Sequence, residues 1–281
     1  IAIIGAPRIG STLAYQILAN FTDSYYMSNL FHLFHYNPQL AHNLENYFNS
    51  SNFNSKFNSN RGFENNILAP SEANYFWKNW FDFSVNEFTK FKKRKNFLTG
   101  CYILEQIIKK RYTLLSGWNA HLYYTKEMTN IFKNHLFINI KRDHFSVIKS
   151  IYLSRIAIYN DPKHWWSLKP KEMRFIKNDD PFTQISLQVL YTERKIEKLF
   201  KDKKINLIRY DYDFICHKPN SFLESVVTIS KQKNILLNQK VGKLKQFQPS
   251  KIKKSDALYK SIKKGYDSAL RIYNKNDKKN S

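Results

Sequence analysis

Apolar residues in this chain fall into short runs, and helical spacing follows each run. Residues 1–4 form an apolar run that ends at Gly5, and residues 11–18 repeat apolar positions every three or four residues. Short apolar runs are typical of buried strands, whereas a repeat of three to four residues is typical of an amphipathic helix. The N-terminal region therefore predicts a strand, a tight loop and a helix.

The same pattern recurs twice further along the chain. Residues 136–140 (LFINI) precede a predicted helix over 143–155, and residues 205–208 (INLI) precede short predicted helices after Asp211. Strands that alternate with helices are typical of a parallel sheet with helices on both faces. The sequence thus predicts an α/β fold, a three-layer sandwich around a central parallel sheet.

Two further helices and two insertions lie between these units. The helices are predicted over residues 101–110 and 182–200. Residues 43–66 are rich in Asn and Ser, and residues 156–180 contain an aromatic cluster. Open α/β sheets bind ligands at the carboxyl ends of their strands. We expect both insertions to lie over that edge.

Composition favours a protein with one sizeable hydrophobic core, and cysteine usage favours a reducing compartment. The 281 residues are 42% hydrophobic, and the two cysteines, Cys101 and Cys216, imply no disulfide framework. No apolar run reaches the roughly 18 residues that a membrane span needs, so none is predicted. The chain begins at Ile1 without an initiator methionine. We expect a cytoplasmic protein whose N-terminus, with any signal or anchor on it, is missing.

Basic residues exceed acidic ones by 46 to 22, and this excess favours anionic partners. Residues 231–281 contain 14 Lys and one Arg against three Asp. This imbalance predicts a domain boundary near residue 230, followed by a basic C-terminal tail that is partly helical or flexible. A nucleic-acid-binding protein is an alternative, but the chain contains no nucleic-acid recognition motif. No specific nucleic-acid partner is expected.

Residues 5–12, GAPRIGST, join the first predicted strand to the first predicted helix. Loop amides and a helix N-terminus at such a junction can converge on an anion. A Walker A loop reads G-x-x-x-x-G-K-[ST], whereas here Ser11 takes the lysine position and Arg8 supplies the cation. A Walker lysine and its Mg²⁺ stabilise a γ-phosphoryl group in transfer. A loop arginine followed by two hydroxyls instead suits a terminal sulfuryl group without a metal.

The segment PRIGSTL, residues 7–13, resembles the 5′-phosphosulfate loop of sulfotransferases, P-[KR]-x-G-[ST]-T. The resemblance implies a P-loop-NTPase-like sulfotransferase domain over residues 1–230. Its donor would be 3′-phosphoadenosine-5′-phosphosulfate (PAPS), and its acceptor a hydroxyl or an amine. By position, Arg8 would act in catalysis by holding the sulfuryl group and the bridging oxygen. The donor-binding residues implied in this loop are Arg8, Ile9, Gly10, Ser11, Thr12 and Leu13.

Two later segments resemble further parts of a PAPS site. Arg142 and Ser150 stand eight residues apart in FINIKRDHFSVIKS, as in the 3′-phosphate motif of sulfotransferases. A guanidinium can fork onto a phosphate, and a hydroxyl two turns along the helix adds a neutral donor. Residues 212–219, YDFICHKP, resemble a Y-E-D-L-x-x-x-P segment, which implies that Tyr212 lies near the adenine. Asp213 replaces the glutamate of that pattern.

His121 is the first candidate for the base that removes the acceptor proton. It lies 21 residues before Arg142, where bacterial relatives carry a K-x-P-x-H segment. Gly117 and Asn119 take the lysine and proline positions, so the match is partial. A buried, structural histidine is the alternative.

His32 is the second candidate for the base. Other members of the wider family carry a glutamate after the first helix, but residues 24–36, SYYMSNLFHLFHY, contain no carboxylate. Trp165 and Trp166 are candidates for an acceptor platform, because aromatic faces stack on sugars and other rings. Core packing is the alternative role for both tryptophans. A carbohydrate or glycolipid acceptor is preferred because the insertions are long and aromatic, while tyrosyl peptides, steroids and small alcohols stay open as acceptors.

No metal site is predicted, because the histidines and cysteines show no ligand spacing. Two further alternatives remain open. An ATP-dependent small-molecule kinase would need a loop lysine and a carboxylate for Mg²⁺. A PAPS-binding homologue that has lost catalysis is suggested by Gly117 and by the missing carboxylate.

Overall fold

A computed structural model describes residues 1–48, 57, 64–87, 96–108, 113–176 and 180–280. The described strands are β1 (Ala2–Ile4), β2 (Tyr25–Tyr26), β3 (Leu114–Leu115), β4 (Phe137–Lys141) and β5 (Leu207–Asp211). β5 begins two residues later than the pattern of residues 205–208 predicts. Ile205 is buried, but it precedes the strand.

The strands form a parallel sheet with β1 at its centre, between β3 and β4. One parallel group has the order β1-β4-β5, and β2 pairs with β3 in a second. Ser116, directly after β3, connects the two groups: its O accepts from Ile3 N and its N donates to Ile1 O, both over 2.9 Å. The strand order is therefore β2-β3-β1-β4-β5, and the predicted central parallel sheet is confirmed.

Helices make up most of the remaining described structure. They are α1 (Ser11–Phe21), α2 (Asn29–Leu33), α3 (Pro38–Tyr47), α4 (Asn74–Phe81), α5 (Phe97–Ile108), α6 (Thr125–Ile131), α7 (His144–Tyr159), α8 (Pro181–Phe200), α9 (Tyr212–His217), α10 (Pro219–Gln232) and α11 (Tyr259–Asn280). Short 3₁₀ helices cover Asn119–Tyr124 and Lys171–Arg174. In the described residues, no helix is both long and apolar enough to cross a membrane.

Two hydrophobic cores lie on opposite faces of the sheet, because successive side chains of a strand point to opposite faces. Ile3 and Ile138 are fully buried in a core with residues of α1, α7 and α10. Ile4 and Phe137, their neighbours in sequence, belong to a core with residues of α4 and α5. Fully burying one such side chain stabilises the fold by about 1.5–3 kcal/mol. The predicted three-layer α/β architecture is therefore confirmed.

The chain beyond residue 230 packs against the rest of the protein. Lys240 N donates to Phe21 O over 2.8 Å, and Phe247 N donates to Cys216 O over 2.9 Å. α11 lies against α8, where Ala269 is fully buried. The domain boundary near residue 230 stays a prediction, and the segment that follows it contributes to the core.

The two predicted insertions differ in how much of them is described. Most of residues 49–63 lies outside the described residues, so the expectation for that part of 43–66 is not addressed. In the second insertion, α7 ends at Tyr159, and Asn160, with a left-handed φ of 53°, caps it. A loop then leads to the 3₁₀ helix Lys171–Arg174. Residues 166–168 of that loop lie beside the site described next.

Candidate active site

The loop between β1 and α1 adopts a backbone that brings its amides to the carboxyl end of β1. Arg8 and Gly10 have φ values of 68° and 100°, both left-handed. Gly10 precedes the first turn of α1 and offers no side chain to cap it. The first-turn N–H groups of α1 are consequently available to an anion. Ile9, in contrast, turns its side chain into the core, where it is 1% exposed.

Arg142 follows β4 and connects this loop to two other segments. Its Nη1 donates to Arg8 O over 2.7 Å, and its Nη2 donates to Ser250 O over 2.5 Å. The guanidinium carbon lies 4.4 Å from the ring centroid of Tyr212. Tyr212 in turn packs so closely on Gly10 that a Cβ there would lie 2.4 Å from the ring.

Ser150 lies two turns along α7 from Arg142 and contacts the same loop. Its Oγ accepts a hydrogen bond from Arg8 Nε over 2.9 Å. Asp143 caps α7 by accepting from Ser146 N over 2.8 Å, so the start of this helix is fixed directly after Arg142. Arg8 of the first predicted motif thus contacts both Arg142 and Ser150 of the second.

Burial lowers the pKa of Arg142, although an arginine remains charged throughout the physiological range. Its Nε is buried and has no hydrogen-bond partner within the described part of the chain. A buried charged donor without a partner costs free energy. The site therefore favours an anion that can accept from this guanidinium.

These residues line one cleft, which we name the Arg8 cleft, with a cavity volume of about 480 Å³. That volume falls in the range of small-molecule sites. The predicted residues that line it are Arg8, Gly10, Ser11, Thr12, Leu13, His32, Arg142, Ser150 and Tyr212. Arg142 and Tyr212 also line a neighbouring cavity of about 630 Å³, which Lys251 borders.

Glu72, which the sequence analysis missed, is the only carboxylate among the described residues that line the Arg8 cleft. It follows Ser71, whose N donates to Met27 O over 2.8 Å just after β2. Glu72 is exposed to solvent within the cleft, and the protein atoms around it partly desolvate its carboxyl. This desolvation raises the pKa of Glu72 to about 7, against the opposing effect of the Arg8 charge.

His121 lies elsewhere, fully buried among aromatic rings. Its Nε2 is 2.8 Å from Ser116 Oγ, and the rings of Trp77 and Trp118 lie edge-on at 4.6 and 5.5 Å. Burial lowers the pKa of His121 to about 3, so the imidazole is neutral at pH 7. The structure does not bring His121 to the Arg8 cleft. This geometry matches the structural role that the sequence left as an alternative.

His32 lies in α2 and lines the Arg8 cleft, half-buried. Its ring is 4.8 Å from the ring of Tyr75. Burial, and secondarily the charge of His35, lowers the pKa of His32, while a hydrogen bond with Asn74 opposes the shift. Its neutral imidazole could accept a proton, so His32 stays a predicted base.

The two adjacent tryptophans, Trp165 and Trp166, lie in different surroundings. Trp166 lines the Arg8 cleft. Trp165 packs behind it, with Arg155 and Lys169 over its ring at 5.1 and 5.2 Å and its Nε1 donating to Ser167 O over 3.2 Å. Trp166 also packs against the core that contains Ile3. Its role in contacting an acceptor stays a prediction, whereas Trp165 packs within the loop.

Among the described side chains, no group of three or more His, Cys, Asp or Glu is arranged to hold a metal ion. A family model described as the sulfotransferase family matches residues 1–227. That range contains β1 to β5 and all the lining residues named above except Ser250 of the C-terminal segment. A comparison with curated protein sequences found no match.

Proposed function

This chain belongs to the sulfotransferase family, and from that premise we propose that it transfers a sulfuryl group from PAPS to an acceptor hydroxyl or amine. The observation that supports the proposal most directly is the convergence of Arg8, Arg142 and Ser150 in one cleft. They come from two distant parts of the chain: Arg8 follows β1, whereas Arg142 follows β4 and Ser150 lies on α7 directly after it. Open α/β sheets bind their ligands at the carboxyl ends of their strands.

The proposed donor site uses the residues that resemble the two phosphate motifs. The 5′-phosphosulfate binds the amides and hydroxyls of Ser11 and Thr12 at the N-terminus of α1. The 3′-phosphate binds Arg142 and Ser150, and the adenine lies near Tyr212. The buried, unpartnered Nε of Arg142 and the aromatic ring beside it support this arrangement.

We assign the acceptor proton to Glu72. The acceptor oxygen attacks the sulfur, and the new O–S bond forms as the S–O bond to the 5′-phosphate breaks. The proton moves to the Glu72 carboxylate, and Arg8 stabilises the negative charge on the departing phosphate oxygen. A pKa near 7 supports this role, because a base is most effective when its pKa lies near the working pH. A homologue without catalysis was suggested mainly by the missing carboxylate, and Glu72 supplies a carboxylate in the cleft.

The acceptor proposed is a carbohydrate or a glycolipid. Trp166 and the polar residues Asn29, Asn74 and Asn119 line the same cleft. An aromatic face combined with amide groups suits the apolar faces and hydroxyls of a sugar ring. A donor chemistry without metal and a cytoplasmic location also belong to the proposal; the first rests on the resemblance and the second on cysteine usage.

Ligand-dependent stability tests the donor. We would compare PAP (3′-phosphoadenosine-5′-phosphate), PAPS, adenosine 5′-phosphosulfate and Mg²⁺-ATP by thermal shift and calorimetry, because a ligand that binds the native state raises its melting temperature. We expect stabilisation by PAP and PAPS that EDTA does not change, and weaker stabilisation by adenosine 5′-phosphosulfate, which lacks the 3′-phosphate. Stabilisation by Mg²⁺-ATP alone would overturn the proposal in favour of a kinase.

A further inference from the structure

Residues 166–168, which we name the cleft wall, form one side of the Arg8 cleft in a constrained conformation. Ser167 has a φ of 67°, which is uncommon for a residue with a side chain. Such conformations persist where the surrounding structure holds them, and they cluster at functional sites. The contacts that hold the cleft wall therefore bear on the function of the site.

Gln188 of α8 holds the cleft wall by its backbone. Its Nε2 donates to Trp166 O over 3.0 Å and to Leu168 O over 2.6 Å. The Gln188 side chain is fully buried. One amide group thus fixes the residues before and after Ser167.

Arg155 of α7 fixes Gln188 in turn. Its Nη2 donates to Gln188 Oε1 over 3.4 Å, which sets the orientation of the amide so that Nε2 faces the wall. Its Nη1 donates to Pro162 O and Gln184 Oε1, both over 3.2 Å. Its guanidinium also lies over the ring of Trp165.

Burying the charged Arg155 side chain costs free energy. The side chain is fully buried, and among the described residues Asp161 is the only carboxylate whose charge acts on it. Burial lowers the pKa of Arg155 to about 10, while Asp161 acts only through its charge at a distance. Apolar residues of similar volume often replace buried charges without loss of stability. Stability alone therefore gives no reason for an arginine here.

We propose that Arg155 and Gln188 are positioning residues that hold Trp166 and the cleft wall in place for the acceptor substrate. The inference rests on the proposed function, since it assigns the wall to the acceptor side of that site. α7 then serves both substrates: Ser150 faces the donor residues, and Arg155, five residues later, supports the wall. Ser154 Oγ donates to Ser150 O over 2.8 Å between them.

Two charge-matched variants separate positioning from stability. Gln188→Glu and Gln184→Glu each place a carboxylate beside the Arg155 guanidinium, so both supply an ion-pair partner. Only Gln188→Glu removes the amide donors to Trp166 O and Leu168 O and turns carboxylate oxygens toward these carbonyls. Gln188→Met, neutral and of similar length, removes the same donors without adding charge.

The acceptor readout is the KM for p-nitrophenyl β-galactoside with PAPS as the donor. We expect Gln188→Glu and Gln188→Met to raise this KM about tenfold, as expected for the loss of one or two hydrogen bonds. The PAP dissociation constant and the rate of sulfuryl transfer to water should stay within about twofold of wild type. Gln184→Glu should leave the KM, the PAP dissociation constant and the rate of transfer to water unchanged. Arg155→Lys keeps the charge but loses the planar guanidinium, so its KM should lie between those of wild type and Gln188→Met.

A second readout does not depend on the choice of acceptor. With fluorotryptophan incorporated, the ¹⁹F signal of Trp166 should shift or broaden in both Gln188 variants, while that of Trp118, which also lines the cleft, stays unchanged. Equal behaviour of Gln188→Glu and Gln184→Glu in both readouts would overturn the inference. A wild-type protein that does not bind PAP would instead remove the proposed function while leaving the ¹⁹F result interpretable.

Discussion

Arg8 Nε donates a hydrogen bond to Ser150 Oγ over 2.9 Å, although the two residues are 142 positions apart. Arg8 belongs to the loop after β1, and Ser150 belongs to α7 after β4. The residues assigned to the two ends of the donor are thus in direct contact. Their N–H and hydroxyl groups are the ones that the anionic groups of a donor would use.

Arg142→Ala should weaken PAP binding by about 1.5–3 kcal/mol, roughly 10- to 150-fold, because a charge-assisted contact to phosphate is lost. Calorimetry measures the change directly. Arg174→Ala, at an exposed position outside the Arg8 cleft, is the control and should leave affinity unchanged. Equal PAP affinity of Arg142→Ala and wild type would remove Arg142 from the donor site.

Gly10→Ala should weaken PAP binding and lower the free energy of unfolding by about 1 kcal/mol or more. The φ of 100° disfavours any side chain, and the new Cβ would lie 2.4 Å from the Tyr212 ring. Denaturant unfolding measures the stability change. In a double-mutant cycle with Tyr212→Ala, part of the cost should disappear because the clash is removed. Strictly additive costs would show that backbone strain alone is responsible.

Glu72→Gln should abolish turnover with a hydroxyl acceptor while leaving PAP affinity nearly unchanged. In the wild type, kcat/KM should rise with pH through about 7 and then level off, because the base acts in its deprotonated form. A pH series of initial rates measures this limb. Glu72→Asp is the matched control, with reduced turnover and a retained limb. A Glu72→Gln enzyme that keeps both rate and limb would direct attention to His32, whose pKa is lowered from 6.5.

The stability of the protein should fall as the pH drops from 6.5 toward 3, in part because of His121. Its pKa is lowered to about 3 in the folded protein, so the unfolded chain binds a proton that the folded chain does not. This difference destabilises the fold by up to about 1.4 kcal/mol per pH unit in that window. Denaturant unfolding at pH 7, 5.5 and 4.5 measures the slope.

His121→Gln cannot titrate and should make that slope shallower. At pH 7, where His121 is already neutral, we expect normal turnover per folded molecule. The opposite result, lost turnover with intact PAP binding and stability, would support His121 as the base that the sequence predicted first.

Features that depend on residues close together along the chain could be predicted before the fold was known. The alternation of apolar runs and helical spacing indicates the parallel α/β fold, since each strand and helix is built from a local pattern. The β1–α1 loop and the eight-residue interval from Arg142 to Ser150 are likewise local, and a strand, loop and helix place such residues predictably. These motifs indicated both the family and the residues that line one side of the Arg8 cleft.

Which distant side chains share an environment, in contrast, depends on the folded chain as a whole. Glu72 reaches the cleft because Ser71, the residue before it, bonds to Met27 directly after β2. The carboxylate therefore comes from a distant part of the sequence and not from residues 24–36, where the family pattern places one. His121 is enclosed by Trp77 and Trp118, and this packing sets its charge state. Burial and desolvation are sums over neighbours from the whole chain, and a linear pattern does not contain them.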